Sequence, residues 1–261
     1  MYQHPHDEEV QYRADRGGDG RAFWRPALRL RRRTIIVISA LAVLPLLAVV
    51  ADRGAAELVE SRIAGDFQDG MDTPNEPSVH VRGFPVLTQM SSGTLDRVDI
   101  DAHDIPADGS TRPVPVSELD VRLDGVSTSG GDGEARARKA EATALLTYQD
   151  LTDSLGLEIG KADEPGRIKA TAALPFGDEL TVTVGVSAAS GNRIAFEGLR
   201  VDEGDIPDFV QDLLDNAFDE PLPLENLPEG LNLRTITVTD AGISAYLTGK
   251  TVTFRPDSSS A

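Results

Sequence analysis

Residues 119–124 read LDVRLD, and this alternation of apolar and charged side chains is the pattern that decides the fold. In an extended chain Leu119, Val121 and Leu123 project to one face, while the charged residues between them project to the other. A strand with one apolar and one polar face is typical of an antiparallel sheet that packs on one side and meets water on the other. The stretch therefore predicts a half-buried antiparallel strand.

The same period of two recurs along most of the chain beyond residue 77. It predicts further strands at 79–81, 98–102, 168–174, 182–186, 194–196, 236–238, 243–247 and 252–254. Three other segments predict helices, because their apolar residues lie three or four positions apart: 55–68, 134–155 and 208–218. Together these patterns predict one α+β domain with a long, meandering antiparallel sheet and three helices.

Residues 34–51, TIIVISALAVLPLLAVVA, contain no charged side chain over 18 positions. As a helix this run would be about 27 Å long, close to the thickness of a bilayer core. Six arginines precede it between residues 21 and 33, and Asp52 and an acidic region follow it. Because basic flanks stay in the cytoplasm, this predicts a single-pass protein of the cell membrane with residues 52–261 outside the cytoplasm.

Besides a retained signal-anchor, this run has two other interpretations, a buried core helix and a cleaved signal peptide. A buried core helix would carry a polar stripe, whereas only Thr34 and Ser39 are polar here. A cleaved signal peptide is compatible with the small residues Val49 and Ala51, and cleavage before Asp52 would give a secreted protein. The long basic region and the length of the apolar run favour the anchor. Both the anchor and the signal peptide export residues 52–261.

The chain holds 25 Lys and Arg against 43 Asp and Glu, a net charge of -18, and no cysteine. Residues 1–51 carry 8 arginines and 5 acidic residues, so the remainder carries 17 basic and 38 acidic residues, a net of -21. An acidic domain is a poor nucleic-acid partner, and a chain without cysteine has no disulfides or thiolate metal sites. The expected organisation is a disordered basic cytoplasmic tail at 1–33, the anchor at 34–51, one extracytoplasmic domain at 52–255 and a polar tail at 256–261.

No motif for catalysis, phosphate binding or metalloprotease chemistry occurs in the sequence. Asp99, Asp101 and His103 share one strand face and allow a metal cluster, but a solvated strand face is the favoured account of them. Asp120 and Asp124 share a face as an acid/base pair would, yet their alternation with apolar residues indicates only exposure. We therefore predict no catalytic residue, no cofactor and no metal, and a protein that is not an enzyme.

The inward positions of the predicted strands are mostly Val, Ile, Leu and Ala, and only nine aromatic residues follow residue 51. Such side chains can form a well-packed core. They can also line a groove for acyl chains, since those ligands need apolar area and no directional contacts. Periodicity does not separate the two interpretations.

Residues 83–89 read GFPVLTQ soon after the apolar run and its helix. Near the other end, residues 227–231 read LPEGL, 236–239 read ITVT and 240–243 read DAGI. In combination these motifs resemble the LmeA-like phospholipid-binding family of actinobacterial envelopes, and the last three are similar to its closing hairpin. The resemblance covers roughly residues 52–255.

The resemblance implies a tubular lipid-binding (TULIP-like) architecture, in which a long curved antiparallel sheet wraps amphipathic helices around an apolar tunnel. It also implies that the partner is a phospholipid or lipid-linked glycan and that the protein supports envelope lipid or lipoglycan metabolism. The candidate lipid-binding residues, chosen for apolarity and position, are Phe84, Leu87, Phe196, Phe209, Leu213 and Phe218. The alternative function is a membrane-tethered scaffold or accessory protein for envelope enzymes, with a solid core and no ligand; its protein partners are unknown.

Overall fold

The computed structural model describes residues 32–106, 115–128, 134–173, 179–201, 208–224 and 227–254. The chain divides into two units, residues 1–45 and residues 46–261. The first unit contains, among the described residues, only the N-terminal turns of helix α1. All the other described elements belong to the second unit.

The helices are α1 (Arg32–Met71), α2 (Val86–Ser92), α3 (Tyr148–Leu155) and α4 (Asp208–Phe218). The strands are β1 (Ser78–Arg82), β2 (Thr94–Ile105), β3 (Val116–Thr128), β4 (Ala135–Thr147), β5 (Glu158–Lys161), β6 (Arg167–Ala173), β7 (Glu179–Ala189), β8 (Arg193–Val201), β9 (Leu222–Pro223), β10 (Glu229–Val238) and β11 (Gly242–Phe254). The predicted α+β class is confirmed.

The strands form two antiparallel sheets where the sequence pattern suggested one long sheet. A six-stranded sheet has the order β1-β2-β3-β4-β11-β10, and a five-stranded sheet has the order β5-β6-β7-β8-β9. The chain leaves the first sheet at α3 and returns to it with β10, so the strands between these points pair among themselves. The hairpin of β10 and β11 is the closing hairpin that residues 227–243 indicate.

The stretch LDVRLD lies in the middle of β3, which pairs with β2 on one side and β4 on the other. Leu123 is buried, and Leu119 and Val121 pack against the same apolar cluster, whereas Arg122 is exposed. The predicted strand and its two faces are therefore confirmed. The other predicted strands are also found within the described ranges; Leu174, the end of the predicted strand 168–174, lies outside them.

The predicted helix 134–155 was wrong for most of its length, because residues 135–147 form β4 and only residues 148–155 form α3. Alanine favours helix in isolated peptides, and this segment is rich in it. Between β3 and β11, however, both edges of β4 find hydrogen-bonding partners, and Ala140, Ala142 and Ala144 are buried at alternate positions. The helix begins only after Thr147, whose hydroxyl forms a capping box with Asp150.

Helix α1 covers the apolar face of the six-stranded sheet within the second unit. Its buried side carries Ala56, Val59, Ile63, Ala64 and Phe67, which confirms the predicted helix 55–68. The alanines of α1 face a sheet surface that is itself rich in alanine, so backbone and strand can approach closely. The carboxylate of Glu60 also accepts a hydrogen bond of 2.7 Å from the backbone N–H of Val81, on edge strand β1.

Helices α3 and α4 cover the apolar face of the five-stranded sheet. The buried side chains of that face alternate along β6 and β7, as Ile168, Ala170 and Ala172 and then Leu180, Val182, Val184 and Val186 do. Leu146 of β4 and Ile243 of β11 join the same cluster from the first sheet. The predicted helix 208–218 is confirmed as α4.

The predicted anchor, residues 34–51, falls within α1, and the side chains of residues 34–38 and 40 are outside the described part of the chain. The predicted tails are outside it too, apart from residues 32 and 33. Within the described ranges, no helix has the length and hydropathy needed to cross a membrane.

We expect Ala140→Leu to lower the free energy of unfolding by about 1–3 kcal/mol, because overfilling a packed site strains its neighbours. Ala140 is 1% exposed and belongs to the cluster that α1 covers. Thr143→Leu, on the opposite face of β4, should change stability by less than about 0.5 kcal/mol. Urea denaturation of both variants measures this difference, and equal losses would contradict the described orientation of β4.

Candidate functional site

The interior behind the five-stranded sheet is the first candidate site. Helix α4 presents Val210, Leu214, Ala217 and Phe218 to it, at positions i, i+4, i+7 and i+8, and all four side chains are buried. Gln211 and Asp215 face solvent on the other side of the helix. The described contacts between α4 and the sheet are therefore apolar.

Two of the predicted lipid-binding residues meet in this interior. The rings of Phe196, from β8, and Phe218, from α4, lie edge to face with their centroids 5.1 Å apart. Phe218 is buried and Phe196 is half-buried, so α4 packs directly against β8 through this pair of rings. Phe209 and Leu213 belong to α4, but their side chains are outside the described part of the structure.

Buried polar groups are distributed unevenly between the two halves of the domain. Among the described residues, the buried polar or charged side chains are Asp52, Thr73, Gln89 and Thr253. None of these belongs to the cluster behind the five-stranded sheet. Within the described ranges, no buried polar side chain therefore belongs to that interior, although the half-buried Tyr148 packs against it with its hydroxyl bonded to the carbonyl of Thr239.

Two surface cavities of the described structure lie elsewhere, and charged residues contribute to the lining of both. One, of about 210 Å³, is lined by Glu158, Lys169, Thr171, Glu179 and Thr181 among others. The other, of about 510 Å³, is open and is lined by Glu164, Arg167, Ser187 and Glu197 among others. Neither of these two cavities is an apolar tunnel.

The turn that contains Phe84 and Leu87 forms a second, separate candidate surface. Gly83 has φ +100, and a Cβ there would come within 2.6 Å of the Gln89 amide nitrogen, so only glycine fits. Helix α2 then buries Val86 and Gln89, while Phe84 and Leu87 are 59% and 45% exposed. The structure therefore does not bring these two residues together with Phe196 and Phe218.

Asp52 ties this turn to α1. Its side chain is 2% exposed, and one carboxylate oxygen accepts a hydrogen bond of 2.9 Å from the backbone N–H of Leu87. Pro85, at the N-cap position of α2, makes no side-chain cap. Asp52 therefore supplies, from another helix, the acceptor that the first turn of α2 lacks.

Two acidic residues of β2 and β3, Asp99 and Asp124, lie in ion pairs. The carboxylate oxygens of Asp99 lie 2.8 Å from Nε of Arg82 and 3.5 Å from Nε of Arg122. Burial alone would raise the pKa of Asp99, but the hydrogen bond and positive charge of Arg82, with Arg122, outweigh it and lower that pKa. Asp124 pairs with Arg97 at 2.8 Å. Within the described ranges, no three metal-ligating side chains form a group that could hold an ion.

Asp120 lies opposite another carboxylate, because its cross-strand neighbour is Asp101. Partial desolvation on the sheet surface raises the pKa of Asp120, and the hydrogen bond and negative charge of Asp101 raise it further. Asp120 and Asp124 therefore have different neighbours and do not form an acid/base pair. Asp124 is neutralised by Arg97, and Asp120 faces Asp101.

Two functional features were missed at the sequence level. Met90 is 43% exposed and continues the apolar side of α2 after Phe84 and Leu87, a spacing of three that could have been noticed. Asp52 and Glu60 lie eight positions apart on α1 and accept hydrogen bonds from the backbone N–H groups of Leu87 in α2 and Val81 in edge strand β1. That spacing is visible in the sequence, but the two backbone N–H groups that it serves are not.

Comparison with known proteins gives one match. A family model described as LmeA-like phospholipid-binding matches residues 50–248. No curated protein and no solved structure matches the chain. The match confirms the resemblance seen in residues 83–89 and 227–243, and its description is one of lipid binding, consistent with a protein that is not an enzyme.

We expect Asp120→Asn to stabilise the fold at pH 7 by up to about 1 kcal/mol, because like charges face each other across β2 and β3. A carboxyl whose pKa is raised by folding destabilises the native state when ionised, so the gain should shrink as pH falls through that raised pKa towards about 3.9. Urea denaturation at several pH values measures the effect. Asp66→Asn, on an exposed position of α1, controls for the loss of one negative charge. Equal effects of the two variants would contradict the pairing.

Proposed function

The chain belongs to the LmeA-like phospholipid-binding family, and on that basis we propose that it holds phospholipid acyl chains against the inner face of the five-stranded sheet, beneath α4. The observation that carries the proposal is the chemistry of that interior, where the described buried side chains are all apolar. An acyl chain gains about 0.8 kcal/mol for each methylene that leaves water. Eight buried methylenes would thus supply about 6 kcal/mol before entropic costs.

Helix α4 is the element that would admit the ligand. Its described contacts with the sheet come from Val210, Leu214, Ala217 and Phe218, and such apolar contacts have no directional requirement. An acyl chain that slides between α4 and β8 replaces hydrocarbon contacts with hydrocarbon contacts. Opening the interior there would leave no described polar side chain unpaired.

We further propose that the domain acts outside the cytoplasm, tethered to the membrane by residues 34–51. The support comes from the sequence, where 18 uncharged positions separate an arginine-rich segment from a region of net charge -21. Cleavage before Asp52 would instead release the same domain. With a phospholipid or lipid-linked glycan as its ligand, the protein would support envelope lipid or lipoglycan metabolism.

One observation favours a second candidate function, that of a membrane-tethered scaffold or accessory protein without a ligand. The two cavities described above are lined partly by charged residues, and neither is an apolar tunnel. A scaffold can function with a solid core, whereas a lipid-binding domain must open its interior to admit an acyl chain. The two functions therefore differ in whether the interior ever exchanges its contacts for those of an acyl chain.

We expect the purified full chain to retain phospholipid when detergent is stripped from it, and native mass spectrometry to detect that lipid as a mass increment. Leu214→Ser should lower the retained fraction about tenfold, equivalent to about 1.4 kcal/mol, because it removes apolar area and adds a hydroxyl to the interior.

Gln211→Ser is the matched control, since it lies on the solvent side of the same helix. Thermal unfolding of both variants shows whether the fold persists. A full chain that retains no phospholipid would favour the scaffold. A folded Leu214→Ser variant with undiminished phospholipid would show that the acyl chains lie elsewhere.

A further inference from the structure

An exposed apolar surface lies on α2 and the turn before it, and it is distinct from the interior beneath α4. Phe84, Leu87 and Met90 are 59%, 45% and 43% exposed, and they follow one another at steps of three. Beyond residue 50, the other large apolar side chains that are exposed among the described residues are Leu58 of α1, at 67%, and Leu199 and Tyr246, each at 38%. We call Phe84, Leu87 and Met90 the α2 patch.

The α2 patch lies in an uncharged segment of a highly charged chain. Residues 83–95, GFPVLTQMSSGTL, contain no Asp, Glu, Lys or Arg, although such residues make up 26% of the whole sequence. Transfer of a charge out of water is the main cost of entering a bilayer interface, and this segment does not incur it. An acidic domain that approaches an anionic leaflet does so best through a neutral surface of this kind.

Several polar groups of α2 already have partners within the protein. The N–H of Leu87 donates to Asp52, and the side chain of Gln89 accepts from the N–H of Asp96 at 2.7 Å. At the other end, the hydroxyls of Ser91 and Ser92 donate to backbone carbonyls one turn earlier, each at 2.8 Å. Backbone groups that are satisfied internally lose little when water leaves, and this is what a lipid environment requires.

Asp52 also fixes where the patch lies along α1. It is the first charged residue after the uncharged run 34–51, and its hydrogen bond brings the backbone of Leu87 to that point. Just before it, Leu46, Leu47, Val49 and Val50 are themselves exposed. The α2 patch is therefore tied to the point on α1 where the exposed apolar segment ends.

From this continuity we propose that the α2 patch is a membrane-docking element, with Phe84, Leu87 and Met90 inserted among the acyl chains of a phospholipid bilayer. The inference rests on the proposed function, since a bilayer is where a phospholipid-binding protein meets its ligand. It gives Phe84 and Leu87 a different role from the one predicted for them. They would hold the domain on the membrane surface, while the interior beneath α4 receives the lipid.

Tryptophan fluorescence in vesicles tests the docking directly. Trp24 is the only tryptophan of the chain, so Trp24→Phe gives a silent background in which F84W is the reporter. The full chain is reconstituted in phosphatidylcholine vesicles whose acyl chains carry bromine near the headgroup. L199W, on an isolated exposed position of β8, is the matched control.

We expect brominated lipid to quench F84W at least twofold more than L199W, and Leu87→Gln with Met90→Gln to reduce the quenching of F84W. Equal quenching of F84W and L199W would overturn the docking proposal and leave a protein, or a second copy of the chain, as the occupant of the patch. Native mass spectrometry of the same preparations tests the proposed function separately. Retained phospholipid together with equal quenching would contradict the docking proposal alone. Stronger quenching of F84W without retained phospholipid would contradict the lipid-binding function alone.

Discussion

Each of the two sheets has one apolar face, and the rest of the structure follows from the need to keep both faces out of water. Helix α1 covers the six-stranded sheet, and helices α3 and α4 cover the five-stranded sheet. Leu146 and Ile243 extend from the first sheet into the cluster of the second, so the two interiors share a boundary. Short side chains on β4 complete the arrangement, because they leave room for α1.

The described contacts of helices α1 and α4 differ in kind, and this difference is the basis of the functional account. Asp52 and Glu60 of α1 accept backbone hydrogen bonds from Leu87 and Val81, which specify one position for α1 against the sheet edge. The buried side chains of α4 are apolar, and apolar contacts have no directional requirement. Helix α1, which is fixed by directional bonds, suits attachment to a surface. Helix α4, which buries apolar side chains, suits the exchange of its contacts for those of an acyl chain.

Much of the fold could be predicted because period two is a strong signal where one face is buried. The stretch LDVRLD and the similar runs in β6, β7 and β11 all form the strands that their alternation predicts. The segment 134–147 could not be assigned correctly, because alanine is compatible with both periods and only the pairing of β4 with β3 and β11 decides between them. Two sheets in place of one likewise depend on pairing partners that no local pattern specifies.

The candidate site was predicted less well, because apolarity does not say where a side chain packs. Phe196 and Phe218 do meet in one interior. Phe84 lies on the exposed turn before α2, and Leu87 lies in the first turn of that helix. The φ of +100 at Gly83 and the hydrogen bond from the Leu87 N–H to the Asp52 carboxylate hold this segment in place. Asp52 looked like a simple boundary marker after the uncharged run, and its burial becomes evident only when α1 and α2 are placed together.

The central claim, that acyl chains lie against the five-stranded sheet, is tested most directly by methyl NMR of the protein with a phospholipid. Val182, Val184 and Ile194 supply methyl groups on that inner face, and Val98 and Ile100 supply them on the inner face of the six-stranded sheet. We predict nuclear Overhauser effects from the acyl chain to the first set and not to the second. Contacts with the second set alone, while the lipid is bound, would contradict the claim.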